Sequence, residues 1–325
     1  MIQTRALTRN FRIKKGVVEA VRGLDLSVSE GELVAFLGPN GAGKSTSLRM
    51  LTSLLSPTSG TAVVAGHDVV REPALVRRHI GYLGQGNNAG HLYEPRDELY
   101  NQGRFYGMDR RAARRRADEL LTDFDLAPMA RRRVGSLSGG QRRRLDIALA
   151  LVHRPRLLFL DEPSTGLDPQ SRAHIWQHIR RLHELHGTAI LFSTHYLEEA
   201  DQYAGRVLII DNGRVVADDR PERLKEQQAG DCITVTTGDE ESARHAATVG
   251  EQVPGAHGAT ADGKTVRLRL GDGAAGLPEY LRALEAAGVK ALTAELSRPT
   301  LDDVFLNLTG RRLRETAAEQ ESGEA

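Results

Sequence analysis

The stretch Gly38 to Thr46, GPNGAGKST, sets three glycines, one lysine and two hydroxyl groups directly behind an apolar run, Leu33 to Leu37. That spacing, G-x-x-x-x-G-K-[ST], suits a loop that wraps a triphosphate. Gly38, Gly41 and Gly43 let the backbone approach the phosphates closely, with Pro39, Asn40 and Ala42 between them. The loop N–H groups then face the anion at the start of a helix whose dipole also favours negative charge. Lys44 adds a point charge in isolation, since it is the one lysine between Lys15 and Lys225. Ser45, next to Thr46, offers a hydroxyl to Mg2+. Further along, Arg156 to Pro163 reads RLLFLDEP, an apolar strand ending in two carboxylates. Asp161 suits the metal shell, and Glu162, where the strand opens into a loop, suits orienting or deprotonating an attacking water. Taken together, the two motifs predict an ATPase that binds ATP and Mg2+.

Such groups need rigid elements beneath them. Leu33 to Leu37, Leu157 to Leu160, Ala189 to Phe192 and Val207 to Ile210 are short apolar runs bounded by Gly, Pro or charged residues, and they predict buried strands. Longer amphipathic stretches separate them, so an α/β layer is expected. Past Gln85 the composition turns Arg-rich and helical, predicting a helical subdomain over about 86–155. Residues 220–230 are polar, with Pro221 and Gly230, and a new alternating run starts at Ile233. The expected organisation is a nucleotide-binding domain over 1–226, a small α+β domain over 231–310 and a disordered tail over 311–325. In the small domain Val266, Leu268 and Leu270 alternate with Arg267 and Arg269, and Leu277 to Ala287 has helical spacing.

Composition removes several classes. The chain has 325 residues, with 44 Lys plus Arg against 43 Asp plus Glu, so no basic field predicts a nucleic-acid partner. Arg114 to Arg116 and Arg131 to Arg133 lie near Asp118, Glu119, Asp123 and Asp125, and are expected as solvated surface. No apolar run approaches the roughly 18 residues of a membrane span, and the opening MIQTRALTRNFRIKKG predicts no secretory signal. The single cysteine, Cys232, leaves no intrachain disulfide and fits a reducing cytoplasm. His174 and His178 have the i, i+4 spacing a metal could use, but HEXXH is absent and a solvated helix face is expected. Trp176 and Cys232 are expected to pack.

Between the two nucleotide motifs lies LSGGQ, Leu137 to Gln141. Ser138, Gly139 and Gly140 precede a helix expected near Gln141, which would make a second anion-binding N-terminus, and Arg142 to Arg144 directly behind it are expected to help hold phosphates. With this string in order and spacing, residues 1 to about 226 resemble the ABC ATPases. The resemblance implies a P-loop NTPase core with a helical subdomain and an antiparallel β edge, and the small α+β domain following it. It also implies a homodimer in which Ser138, Gly139, Gly140 and Gln141 of one chain face the γ-phosphate held by another. Under the same resemblance Phe11 stacks on adenine, and Gln85 in GYLGQ touches Mg2+ or the attacking water. Asp168 in TGLD contacts the opposite subunit, and His195 in STHYLEEAD hydrogen-bonds the γ-phosphate. Pro is common in this family where the chain has Gly84.

The segment Ser297 to Gly310, SRPTLDDVFLNLTG, resembles the C-terminal segment of daunorubicin-resistance-type drug exporter ATPases. Leu301, Val304, Phe305 and Leu308 have the spacing of one helix face. The resemblance implies an ATP-binding exporter subunit acting through a separate transmembrane permease, at the cytoplasmic face of the membrane and attached to it only indirectly. The alternative is a soluble ABC ATPase acting on ribosomes or nucleic acid. One GPNGAGKST, one LSGGQ and too short an interval for a long coiled coil disfavour it.

Overall fold

The computed structural model describes residues 1–14, 16–86, 89–90, 92–228 and 230–310. They form two compact units that divide between Asp218 and Asp219. The tail expected over 311–325 lies outside the described residues.

The first unit opens with β1 (Ile2–Ile13) and β2 (Gly16–Val28), followed by β3 (Leu33–Leu37), which is buried along its whole length. Next come α1 (Lys44–Leu51), β4 (Ser59–Val64), β5 (His67–Asp68), α2 (Pro73–His79) and β6 (Ile80–Leu83). A helical stretch holds α3 (Pro95–Phe105), α4 (Arg110–Asp123) and α5 (Gly139–Ala150), with short 3-10 turns between α4 and α5. The unit ends with β7 (Leu157–Asp161), α6 (Pro169–His186), β8 (Ala189–Thr194), α7 (Leu197–Tyr203), β9 (Arg206–Asp211) and β10 (Arg214–Asp219).

Its strands sort into two sheets. One has the order β2-β1-β4-β5 and is antiparallel. The other has the order β10-β9-β3-β8-β7-β6, in which β9, β3, β8, β7 and β6 run parallel. Continuous apolar runs such as LVAFL and LLFLD suit strands covered on both faces. Phe36, Phe159 and Phe192 are fully buried. Trp176 on α6 packs edge-on to Phe192 at 4.7 Å and stacks on Tyr203 at 4.5 Å, so it packs as the sequence leads one to expect. Loss of such a side chain costs about 3–5 kcal/mol. The parallel register sets Leu37 beside Thr194 and Asp161 beside Ser193. Three strand ends therefore meet at one edge, which is where open α/β sheets bind ligands.

The second unit runs α8 (Pro221–Gln228), β11 (Asp231–Thr236), α9 (Glu240–Glu251), β12 (Ala256–Asp262), β13 (Thr265–Leu270), α10 (Gly273–Ala286), β14 (Thr293–Ser297) and α11 (Leu301–Thr309). Its antiparallel sheet has the order β12-β13-β11-β14. Val266, Leu268 and Leu270 point inward while Arg267 is exposed, as alternation on a one-sided sheet demands. α10 starts earlier than the spacing from Leu277 indicates, because the Asp272 side chain caps it by accepting from the Ala275 N–H. Buried Tyr280 donates to the Ala246 carbonyl at 2.9 Å, and burial pushes its pKa up to about 12. On α11 the face Leu301, Val304 and Phe305 is buried against α8 and its surroundings.

Candidate functional site

The turn from β3 into α1 is shaped by space. A Cβ on Gly38 would lie 2.2 Å from the Ile210 carbonyl oxygen, and one on Gly43, with φ of 104°, would lie 2.3 Å from that of Ala20. Only glycine fits either position. Pro39 and Ala42 are buried, Asn40 and Gly41 face solvent, and Thr46 is half-buried. Gly43 caps α1 without a side-chain hydrogen bond, so the first helical N–H groups are available to an anion. Lys44, only 4 % exposed, donates to the Gly38 and Pro39 carbonyls at 2.7 and 2.9 Å. Its Nζ is 3.7 Å from Glu162 Oε1. Burial lowers the Lys44 pKa, opposed by Glu162 and Asp161.

Asp161 closes β7 and is 2 % exposed. Its Oδ1 accepts from Ser45 Oγ at 2.8 Å and from Ser193 Oγ at 2.6 Å. Gln85 Nε2 donates to Ser45 Oγ at 3.0 Å. Burial pushes the Asp161 pKa up, with the two hydroxyls acting against it. Ser45, Gln85 and Asp161, the candidate Mg2+ ligands, thus form one hydrogen-bonded chain. All three carry oxygen donors, the set a hard divalent cation takes.

Glu162 has φ of 48°, a sparsely populated region for a residue with a Cβ. That turn aims its carboxylate back at the loop, where Oε1 is 3.3 Å from His195 Nδ1 and Oε2 accepts from Thr165 Oγ1 at 3.1 Å. The Glu162 N–H donates to Ser193 Oγ at 3.0 Å. Burial acts to raise the Glu162 pKa, but the His195 ring, Lys44 and the Thr165 hydroxyl outweigh it and the net direction is down. The carboxylate is therefore ionised near neutral pH, the form a general base requires. His195 follows β8 and stands beside Tyr196, with ring centroids 4.2 Å apart.

Two residues that organise this site escaped the sequence. Arg143, expected with its neighbours to help hold phosphates, instead clamps backbone. Its guanidinium donates to the carbonyls of Pro163 at 2.8 Å, Gly84 at 2.8 Å, Asp161 at 3.1 Å and Glu162 at 2.9 Å. A run of three arginines does not say which turns inward, although the buried Ile147 one helical turn on was a usable signal. Glu199, 3 % exposed on α7, accepts from Ser164 Oγ and, at 2.7 Å, from Thr194 Oγ1. It joins the loop after Glu162 to the strand end before His195, a long-range contact that no local spacing encodes.

The remaining candidates stand apart from that cluster. Ser138 caps α5 in a reciprocal box with Gln141, while Gly139 and Gly140 neighbour Leu167 and Ser171. Asp168 caps α6 by accepting from the Ser171 N–H at 2.9 Å, and these contacts with Ser171 lower its pKa. Phe11 is half-buried on β1 with the Arg9 guanidinium 4.6 Å above its ring. Among the described residues, no hydrogen bond or ion pair ties Ser138, Gln141, Asp168 or Phe11 to the Lys44–Glu162 cluster.

Comparison with known proteins gives concordant matches. The family model described as ABC transporter matches residues 21–165, and that described as ATP-binding protein DrrA1-3-like, C-terminal domain, matches residues 220–309. The chain is 44% identical over 306 residues to the daunorubicin resistance ATP-binding protein DrrA2 of Streptomyces coeruleorubidus, covering 94% of this chain and 95% of that one. It is 38% identical over 309 residues to the Nod factor export ATP-binding protein I of Burkholderia lata, covering 94% and 97%. Among solved structures, a dimeric ATP-binding cassette in a post-hydrolysis state bound to ADP and Pi superposes with a TM-score of 0.63 at 28% identity. The match covers 68% of this chain and 98% of that one.

Proposed function

The chain belongs to the ABC transporter family, with the ATP-binding proteins of the daunorubicin-resistance type, and from that premise we propose that it powers an exporter by closing and reopening around ATP. In this reading two copies of the chain hold two nucleotides. Each triphosphate lies on the loop Gly38 to Thr46 of one copy and faces Ser138 to Gln141 of the other. Asp168 contacts the opposite copy, and Phe11 stacks on adenine. One observation carries the chemistry: buried Lys44 clusters with the partly buried Glu162 and His195 beside Ser45, Asp161 and Gln85 at an uncapped helix start.

With nucleotide present, Lys44 exchanges its two carbonyl partners for phosphate oxygens. Ser45, Gln85 and Asp161 would hold Mg2+, which neutralises charge on the phosphates. Glu162 takes a proton from the attacking water, and His195 steadies that carboxylate and donates toward the γ-phosphate. Among the described residues no helix is long and apolar enough to cross a membrane. The proposed path for cargo, a drug or other hydrophobic compound, is a separate permease that holds this chain at the cytoplasmic face of the membrane. No nucleic-acid partner is involved.

Glu162→Gln tests the reading. Hydrolysis should slow by about 10² to 10⁴ while ATP affinity is retained, and the variant should sediment as a dimer in saturating Mg-ATP. Unchanged turnover removes Glu162 from the chemistry, and a persistent monomer removes the sandwich.

A further inference from the structure

The sequence predicts a solvated face for His174 and His178; His174 is partly exposed, but the structure departs from that expectation at His178. The His178 side chain is only 9% exposed, and its Nε2 has no hydrogen-bond partner. An unpaired buried polar atom is costly unless something fills the space. What faces it is Asp125, just past the end of α4 and held at a φ of 52°. Asp125 Oδ2 lies 3.2 Å from His174 Nε2 and 3.5 Å from His178 Nε2.

We propose that Asp125, His174 and His178 form a site for a divalent transition-metal ion of the Zn2+ or Co2+ class, joining the end of α4 to α6. Metal–ligand bonds of about 2.0–2.2 Å in tetrahedral geometry put ligand atoms about 3.3–3.6 Å apart; the Asp125–His178 pair at 3.5 Å falls within that range and the Asp125–His174 pair at 3.2 Å just below it. All three donor atoms lie within 4.8 Å of one another, so side-chain rotation alone closes the set. Three protein ligands leave one position for water, and the 59% exposure of Asp125 and 43% of His174 give an ion its way in. Surrounding contacts orient the ligands. Phe124 stacks on His178 with centroids 5.0 Å apart, and the Asp123 carbonyl acts on the same ring as an acceptor, the outer contact that fixes a ligating imidazole. Arg144 is the nearby competing cation. Its Nη1 donates to the Phe124 carbonyl at 2.9 Å and stays 3.8 Å from Asp125 Oδ2, too far for a hydrogen bond.

The test uses the full chain, carrying no histidine tag, freed of metal by chelator and kept free of nucleotide. Titration with Co2+ should give visible ligand-field bands that saturate at one ion per chain, and Zn2+ should displace the Co2+ and raise Tm. His174→Ala and Asp125→Asn, both at exposed positions that folding tolerates, should each weaken binding at least ten-fold. His183→Ala with His186→Ala should leave it unchanged. Absence of saturable binding below about 0.1 mM overturns the site, as does affinity that survives Asp125→Asn and His174→Ala together.

Discussion

Two helices of the first unit begin at glycine-rich turns, and their N-termini are finished in opposite ways. At α1, Gly43 provides no side-chain cap, and Lys44, Ser45, Asp161 and Glu162 crowd the first turn. At α5, Ser138 Oγ accepts from the Gln141 N–H at 3.3 Å and Gln141 Oε1 accepts from the Ser138 N–H at 3.0 Å. A cap of that kind contributes about 1 kcal/mol, so α5 is stable without an anion. α1 leaves its N–H groups for one and gathers the charges that would work on it. The contrast teaches that a single chain builds one open helix end with charged and hydroxyl groups gathered on it and one self-sufficient end closed by its own cap. Under the proposed function that second end acts on a nucleotide belonging to the other copy.

The strongest way to break this contrast is Ser138→Arg. A long cation at the α5 end should abolish ATP-driven dimerisation altogether. Binding of ATP to the monomer should persist, and far-UV circular dichroism should stay unchanged apart from the modest loss of the cap. Analytical ultracentrifugation with and without Mg-ATP, in a Glu162→Gln background, reads the outcome. Lys44→Ala is the mirror experiment, because it removes a charge-assisted phosphate contact within one chain. Nucleotide affinity should fall by about 10- to 100-fold, matching a lost charged hydrogen bond of about 1.5–3 kcal/mol. If Ser138→Arg lowered monomer affinity as much as Lys44→Ala does, both helix ends would serve one nucleotide and the contrast would fail.

Much of the α1 site was legible because its parts are local. The loop, Lys44 and Ser45 occupy one short stretch behind a strand, and Asp161 with Glu162 ends another. Parallel pairing of both with β8 brings them together, an order that the apolar runs do not state. The capping box at Ser138 is equally local, with Gln141 three residues on, although the glycines beside it point first to an anion-binding helix start. What could not be read was the support reached across the fold. Glu199 joins Ser164 and Thr194 from separate segments, and Glu162 adopts a φ that no residue type announces. His178 misled for the same reason. Helical spacing placed it beside His174, but what lies over that face is Asp125 and Phe124 from a distant turn. Amphipathic patterns locate faces and say little of what covers them.

Arg143 sharpens the comparison at the smallest scale, because it sits in the first turns of α5 and yet holds the loop that serves α1. Its donors reach four backbone carbonyls on Gly84, Asp161, Glu162 and Pro163. A rigid guanidinium can span them with donors on three nitrogens, whereas an ammonium directs its three donors from a single nitrogen. Arg143→Lys should therefore preserve charge and folding but release part of this grip, leaving Glu162 less well held over the phosphate loop. Because the side chain touches no group that binds phosphate directly, kcat should fall by about ten-fold while KM for ATP stays within about two-fold. A KM that rises with kcat unchanged would mean that Arg143 binds nucleotide after all, as its place behind LSGGQ first led one to expect. The α5 end would then possess a charge of its own, and the line drawn between the two helix starts would have to move.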